Sequence, residues 1–190
     1  MTLGNRWREK KNIIKRYDMT AHIYELRYRE EQSMKYEAIL NSSEITMEDC
    51  ILDVGCGTGL FIQKIAEKNG IIVGIDSSKK MLEEAKRACN RLKNASFICG
   101  DADFLPLRGG IFDKVFAFTL LQNMPQPKQT ILEIARVAKN DSEIILTYQK
   151  KRFKEKHCGQ SLENAGLHIF KFFDDGQLKD YVAIYRRCSS

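Results

Sequence analysis

Five short apolar runs punctuate the chain: "CILDVG" from residue 50, "IIVGID" from 71, "ASFICG" from 95, "FDKVFAFTL" from 112 and "EIILTY" from 143. Each has the length and the apolar continuity of a strand buried on both faces. Between them the apolar positions recur every three or four residues. Leu60, Phe61, Ile65 and Ala66 make one helical stripe, with Gly70 predicted at its C-terminal cap. Met81, Leu82, Ala85, Cys89 and Leu92 make a second, opened by Ser77 or Ser78 as N-cap, and Ile131, Ile134, Ala135 and Ala138 make a third after Pro127. Strands that alternate with amphipathic helices predict an α/β fold, with a doubly wound, mostly parallel sheet and helices on both faces. After residue 150 the rhythm changes. A short helix near 153–165 precedes "LHIFKFF", "DDG" and "LKDYVAIYRR", which reads as two antiparallel strands turned at Asp175-Gly176. The segment before residue 50 is helical and polar. It predicts a lid over residues 1–48 lying across the top edge of a core at 49–190, in one domain.

Composition narrows the setting. A chain of 190 residues, 43% of them hydrophobic, supports one sizeable core. The net charge of +6 is concentrated in Arg6, Arg8, Lys10, Lys11, Lys15 and Arg16 near the start and in Lys150, Lys151, Arg152, Lys154 and Lys156 later on. Clusters of this sign can track phosphates, so RNA is one partner class to consider, although solvated helix faces have the same composition. The six cysteines form no C-x-x-C pair and read as reduced thiols, which predicts a cytoplasmic protein. No apolar run approaches the ~20 residues of a membrane span, and no metal-ligand spacing is present.

The chemistry-bearing stretch is "ILDVGCGTGL", residues 51–60. Its glycines, Gly55, Gly57 and Gly59, follow a predicted strand and open a helix, where bare backbone allows close approach of a ligand at the carboxyl end of the sheet. Their G-x-G-x-G spacing departs from the G-x-G-x-x-G of dinucleotide sites, and Asp53 just before them disfavours pyrophosphate but suits a cationic ligand group. Asp76 ends the second strand about 20 residues on, where a carboxylate accepts hydrogen bonds from both ribose hydroxyls. Asp101 ends the third strand, where it can accept from an adenine amino group, beside the backbone of Ala102.

Taken together, "ILDVGCGTG", "VGIDSS", "GDADFLPL" and "FDKVFAF" resemble the motifs of the class I S-adenosylmethionine-dependent methyltransferases. The resemblance implies a seven-stranded sheet whose last strand is antiparallel, and S-adenosyl-L-methionine as cofactor. It further implies that Asp53, Gly55, Cys56, Gly57 and Gly59 line the methionine part, Asp76 and Ser77 the ribose, and Asp101 and Ala102 the adenine. Thr119 and Tyr17 complete the donor-lining set. "YDMTAHIY" is similar to the Y-D-x-x-A-x-x-Y pattern of the branch that resembles ubiquinone and menaquinone biosynthesis enzymes, which places Tyr17, Tyr24 and Tyr28 over the donor and acceptor.

No protein nucleophile is required for methyl transfer from a sulfonium, and no catalytic residue is assigned. Acceptor identity belongs in "FTLLQNMPQP" after the fourth strand, where Gln122 and Asn123 can orient an acceptor but cannot remove its proton. The string lacks the N-P-P-Y pattern of amine-methylating relatives, and no cysteine follows Pro106, Pro125 or Pro127 as cytosine C5 chemistry would need. His22, His157 and His168 remain as candidate bases of low weight. The favoured reading is transfer to a small molecule. The alternatives are an RNA- or translation-factor-modifying enzyme, paired with a small activator protein at the edge of the third strand, and more distantly a nucleoside-binding protein or an NAD-dependent oxidoreductase.

Overall fold

The computed structural model describes residues 3–68, 70–151 and 155–188. A long helix, α1 (Leu3–Leu40), precedes the alternating units β1 (Cys50–Val54), α2 (Leu60–Ile65), β2 (Ile71–Asp76), α3 (Lys79–Ala88) and β3 (Ala95–Cys99). These are followed by β4 (Phe112–Ala117), α4 (Pro127–Val137), β5 (Ala138–Gln149), α5 (Glu155–Asn164), β6 (Leu167–Phe173) and β7 (Asp180–Arg187). The strands form a seven-stranded sheet in the order β3-β2-β1-β4-β5-β7-β6. β1 pairs in parallel with β2 and β4, and the parallel set extends through β3 and β5. β7 runs antiparallel to both β5 and β6. The expected α/β architecture, including the antiparallel last strand, is the observed one.

Alternate residues of the central strands face opposite layers. Leu52, Val115, Ile144 and Leu146 pack against Ile131 and Ile134 of α4 and Leu162 of α5. Ile51, Phe116 and Ile145 pack against Phe61 and Ile62 of α2, Leu82 of α3, and Tyr36 and Ile39 of α1. Both faces of the central parallel strands β1 and β4 are therefore buried, the condition that a β-α-β crossover imposes, whereas β3, expected to be buried on both faces, is the sheet edge and has no fully buried residue.

Some local expectations shift. Ser78, not Ser77, caps α3, its hydroxyl accepting the Met81 N–H at 3.1 Å. Gly70 caps no helix: α2 passes through a tighter turn at Ala66–Lys68. Glycine is needed there because a Cβ would lie 2.4 Å from the Met47 carbonyl oxygen. Ala138 leaves the α4 stripe and begins β5, which is longer than its apolar run because a register shift between Phe112 and Lys114 and a left-handed Asp141 (φ 61°) accommodate polar residues. The helix foreseen near 153–165 starts at Glu155 in the described residues; Arg152 and Lys154 of the basic cluster lie outside them, as do the side chains of Lys156, His157 and Cys158.

Helix α1 has two kinds of anchorage. Toward its C-terminal end Tyr36 and Ile39 are buried in the core, and Tyr36 packs 5.0 Å from Phe61 and 5.0 Å from Phe118. The other end is held over the carboxyl ends of the strands by polar side chains. Its outward positions stay in solvent, Leu26 being 89% exposed. Ile39→Ala is therefore expected to cost about 2–5 kcal/mol, the range for a large-to-small change in a core, read as a lower urea midpoint at unchanged slope. Leu26→Ala should change stability by no more than about 0.5 kcal/mol.

Candidate functional site

A cavity of about 240 Å³ opens at the carboxyl ends of β1 to β4, beneath α1. The turn from β1 to α2 forms its floor. Gly55, Gly57 and Gly59 all have positive φ (78°, 54° and 76°), a conformation that a Cβ disfavours. That conformation lets the N–H groups of Gly55 and Cys56 both donate to the Ile75 carbonyl, at 2.7 and 3.1 Å, which binds the turn to the end of β2. Gly57 N–H donates to Asp76 Oδ2 at 2.9 Å and Ser78 N–H to Asp76 Oδ1 at 2.8 Å. Desolvation pushes the Asp76 pKa up, and these backbone donors oppose the rise.

The cavity brings together Gly55, Gly57, Asp76, Ser77, Asp101, Ala102, Thr119, Tyr17, Tyr24 and Asn123. It does not collect every residue expected there. Asp53 is buried below the floor, Oδ1 without a hydrogen-bond partner. Cys56 is buried beside Gly74, and Gly59 packs on Ala85 and Cys89, where a Cβ would come within 3.2 Å of each. Tyr28 packs against Tyr24 with ring centroids 4.9 Å apart and the planes tilted by 48°, but it lies outside the lining and is 41% exposed. Gln122 also lies outside it, and its buried amide has no partner. His22 and His168 are exposed on the surface.

Several lining or supporting groups were not foreseen. Lys10 Nζ lies 2.6 and 2.7 Å from the two Asp101 oxygens and 2.5 Å from Asp103 Oδ2. Asp18 accepts from the Ser78 hydroxyl at 2.6 Å and from Lys80 N–H at 3.3 Å, so a carboxylate of α1 sits at the positive end of α3. Asn123 Nδ2 donates to the Tyr17 hydroxyl at 3.2 Å, and Arg6 donates to the Gln126 side chain. The remaining wall is apolar: Trp7, Ile13, Ile14, Phe118, Leu120 and Met124. One sequence signal did carry part of this: Lys10, Tyr17 and Tyr24 are seven residues apart, so all three fall on one face of α1. Burial raises the pKa of both tyrosines.

Residues 45–181 match the methyltransferase domain family. The chain is 28% identical over 140 residues to a malonyl-[acyl-carrier protein] O-methyltransferase of Marinomonas, covering 73% of this chain and 52% of that one. It is 29% identical over 105 residues to a ubiquinone biosynthesis O-methyltransferase of Coxiella burnetii, covering 55% and 45%. The chain thus spans about half the length of the curated relatives it matches. Among solved structures, the complex between the Haloferax volcanii Trm112 methyltransferase activator and its methyltransferase aligns with a TM-score of 0.76 at 18% identity, over 91% of this chain and 98% of that one.

Burial lifts the Asp53 pKa from 3.8 to about 8, and the nearby Asp76 charge adds to the rise. Between these two values the folded chain keeps a proton that the unfolded chain has lost. Stability therefore falls as pH rises through this window. Asp53→Asn removes the charge, so its melting temperature should match that of the parent near pH 4 and exceed it by a growing margin up to pH 8, as thermal unfolding across that range will report.

Proposed function

The chain belongs to the methyltransferase domain family, among the class I S-adenosylmethionine-dependent methyltransferases, and from that premise we propose that it methylates a small, largely apolar acceptor held between the strand ends and α1. One observation carries the reading: a single cavity joins a polar end of glycine backbone and carboxylates to an apolar wall of Trp7, Ile13, Ile14, Phe118, Leu120 and Met124. The residues present suit the donor. Asp53, buried below the turn, leaves its Oδ1 without a hydrogen-bond partner, and Asp76 offers ribose an acceptor already oriented by two backbone N–H groups. When bound, S-adenosylmethionine supplies a methyl group on a sulfonium, displaced in line by an acceptor lone pair as the carbon–sulfur bonding electrons return to sulfur.

The protein's part is alignment and exclusion of water, which can supply roughly 7–11 kcal/mol of the barrier. Tyr17 and Tyr24 are aromatic members of the cavity lining, and an aromatic face set against a cation favours it by about 0.5–2 kcal/mol. Among the described residues none of the lining groups is suited to take a proton. The tyrosine hydroxyls are shifted away from ionisation, Lys10 is ion-paired with Asp101, the Asp76 carboxylate is held by backbone donors, and no described lining residue is a histidine. The acceptor atom is therefore one that carries a free lone pair at neutral pH, such as a carboxylate oxygen. The two relatives named as O-methyltransferases support an oxygen acceptor.

A second reading, a nucleic acid acceptor, is supported by exposed Arg8, Lys11, Lys15 and Arg16 on the outer side of α1 above the cavity. Under it, RNA binding would weaken steeply with salt. The activator-bound neighbour supports a partner subunit as part of this second reading, and β3, the edge where the sequence reading puts such a partner, is an outer strand of the sheet. Among the described residues no helix is long and apolar enough to cross a membrane.

Calorimetry with S-adenosylhomocysteine tests the donor reading: binding is expected for the demethylated product and not for NAD, and the reverse would overturn it. Asp76→Ala should weaken that binding by about 1.5–3 kcal/mol, the range for a hydrogen bond to a charged group. Lys10→Met is expected to tighten it several-fold, because both Asp101 oxygens needed by an adenine amino group are taken by the ammonium. Weaker binding by Lys10→Met would instead make Lys10 a donor-holding residue.

A further inference from the structure

Lys35 and Asp180 do not line the cavity, yet they form a salt bridge of 2.5 Å with both side chains 1% exposed. Such a pair is a poor device for stability alone, since apolar side chains of similar volume often serve as well or better. Asp180 Oδ1 is moreover left without a hydrogen bond. The partner they share is Thr119. Lys35 Nζ donates to Thr119 Oγ1 at 3.0 Å, and the same hydroxyl donates to Asp180 Oδ2 at 2.9 Å.

Thr119 is a β-branched residue in the left-handed region, with φ 53°. It lies in the cavity lining, just after β4. Backbone strain of this kind persists only where the surroundings over-determine it. Here every polar group of the residue is engaged: the N–H donates to Thr147 Oγ1 at 2.8 Å, the hydroxyl joins the ion pair, and the carbonyl accepts from Asn123 Nδ2 at 2.8 Å. The Asn123 amide in turn reaches the Tyr17 hydroxyl at 3.2 Å. Lys35 and Tyr17 are both residues of α1, separated by roughly 27 Å of helix at 1.5 Å per residue. The helix over the cavity is thus tied at two distant points to one strained residue of the cavity wall.

We propose that Lys35 and Asp180 are positioning residues: the buried pair holds Thr119 left-handed, so that its carbonyl aims Asn123 at Tyr17 and keeps α1 seated over the bound donor. The inference rests on the donor reading above for its ligand but not for its mechanics. Loss of the pair lets Thr119 relax to negative φ, turns its carbonyl away from Asn123 and frees the Tyr17 end of α1.

The test uses the full chain and S-adenosylhomocysteine, with the single tryptophan, Trp7 in the cavity wall, as fluorescence reporter. The apolar double variant Lys35→Met/Asp180→Leu is expected to unfold cooperatively near the parent's temperature yet release the ligand about tenfold faster. Without ligand, amide exchange over residues 10–24 should quicken as well. A further Thr119→Gly change supplies the discriminating readout, because glycine takes positive φ without side-chain anchors. In the Thr119→Gly background the same double change should alter release by less than about threefold. An effect of equal size in both backgrounds, or release at the parent rate from the double variant, overturns the proposal. Should the apolar variant not fold, Asp180→Asn, which keeps the side-chain shape, is read in the same two backgrounds. If the parent does not bind the ligand, the donor reading fails instead. Exchange over residues 10–24 then decides this inference alone: quickening that Thr119→Gly suppresses supports it, and unchanged exchange overturns it.

Discussion

The turn from β1 into α2 passes through three left-handed glycines in five residues, and the rest of the site is built on that backbone. Because the chain bends there so tightly, two successive N–H groups reach the Ile75 carbonyl near the end of β2 and a third reaches the Asp76 carboxylate. The cavity-lining acid of the second strand is thereby positioned by the loop of the first. The close packing behind it depends on glycine too, since a Cβ on Gly74 would lie 2.7 Å from Ile62 and 2.9 Å from the Cys56 sulfur. The floor of the cavity is consequently close-packed, and Asp53 behind it is buried with an oxygen that has no hydrogen-bond partner.

The roof is built differently. α1 is joined to the core by apolar burial at Tyr36 and Ile39 and by one buried ion pair, whereas around the cavity its apolar Trp7, Ile13 and Ile14 are accompanied by polar contacts: Lys10 with Asp101 and Asp103, Asp18 with the start of α3, Tyr17 with Asn123, and Arg6 with Gln126. Polar contacts of this kind exchange with water at small net cost, while apolar burial does not. The two ends of α1 are therefore held by different mixtures of contacts, apolar burial dominating at the Tyr36 end and polar side chains adding to the apolar wall at the cavity end. The aromatic group of Tyr36, Phe61, Phe116 and Phe118, with centroids 4.6 to 5.8 Å apart, joins that anchor to the cavity wall.

Charge near the start of the chain has a double use. Lys10 faces inward and neutralises two carboxylates at the end of the third strand, while Arg8, Lys11, Lys15 and Arg16 face solvent. Counting basic residues could not separate these roles, because consecutive residues of a helix point to different sides. The same limit applies to Asp18, which reads as one polar residue of a polar helix until α3 is brought beneath it.

The sequence by itself determined the alternation of strands and helices, the parallel sheet with its antiparallel finish, and the glycine and aspartate positions at successive strand ends. These depend on short-range regularities: apolar period, turn chemistry, and motif spacing within a few residues. Tertiary structure decided what depends on residues far apart in the chain. It buried Asp53, Cys56 and Gly59 behind the cavity floor instead of in its lining, and left Gln122 outside it. It also closed Lys10 onto Asp101 across 91 positions and Lys35 onto Asp180 across 145. No periodicity announces such pairs. A lysine and an aspartate carry the same sequence signal whether solvated or buried together, and only the packing of α1 against β7 removes the water that separates the two cases.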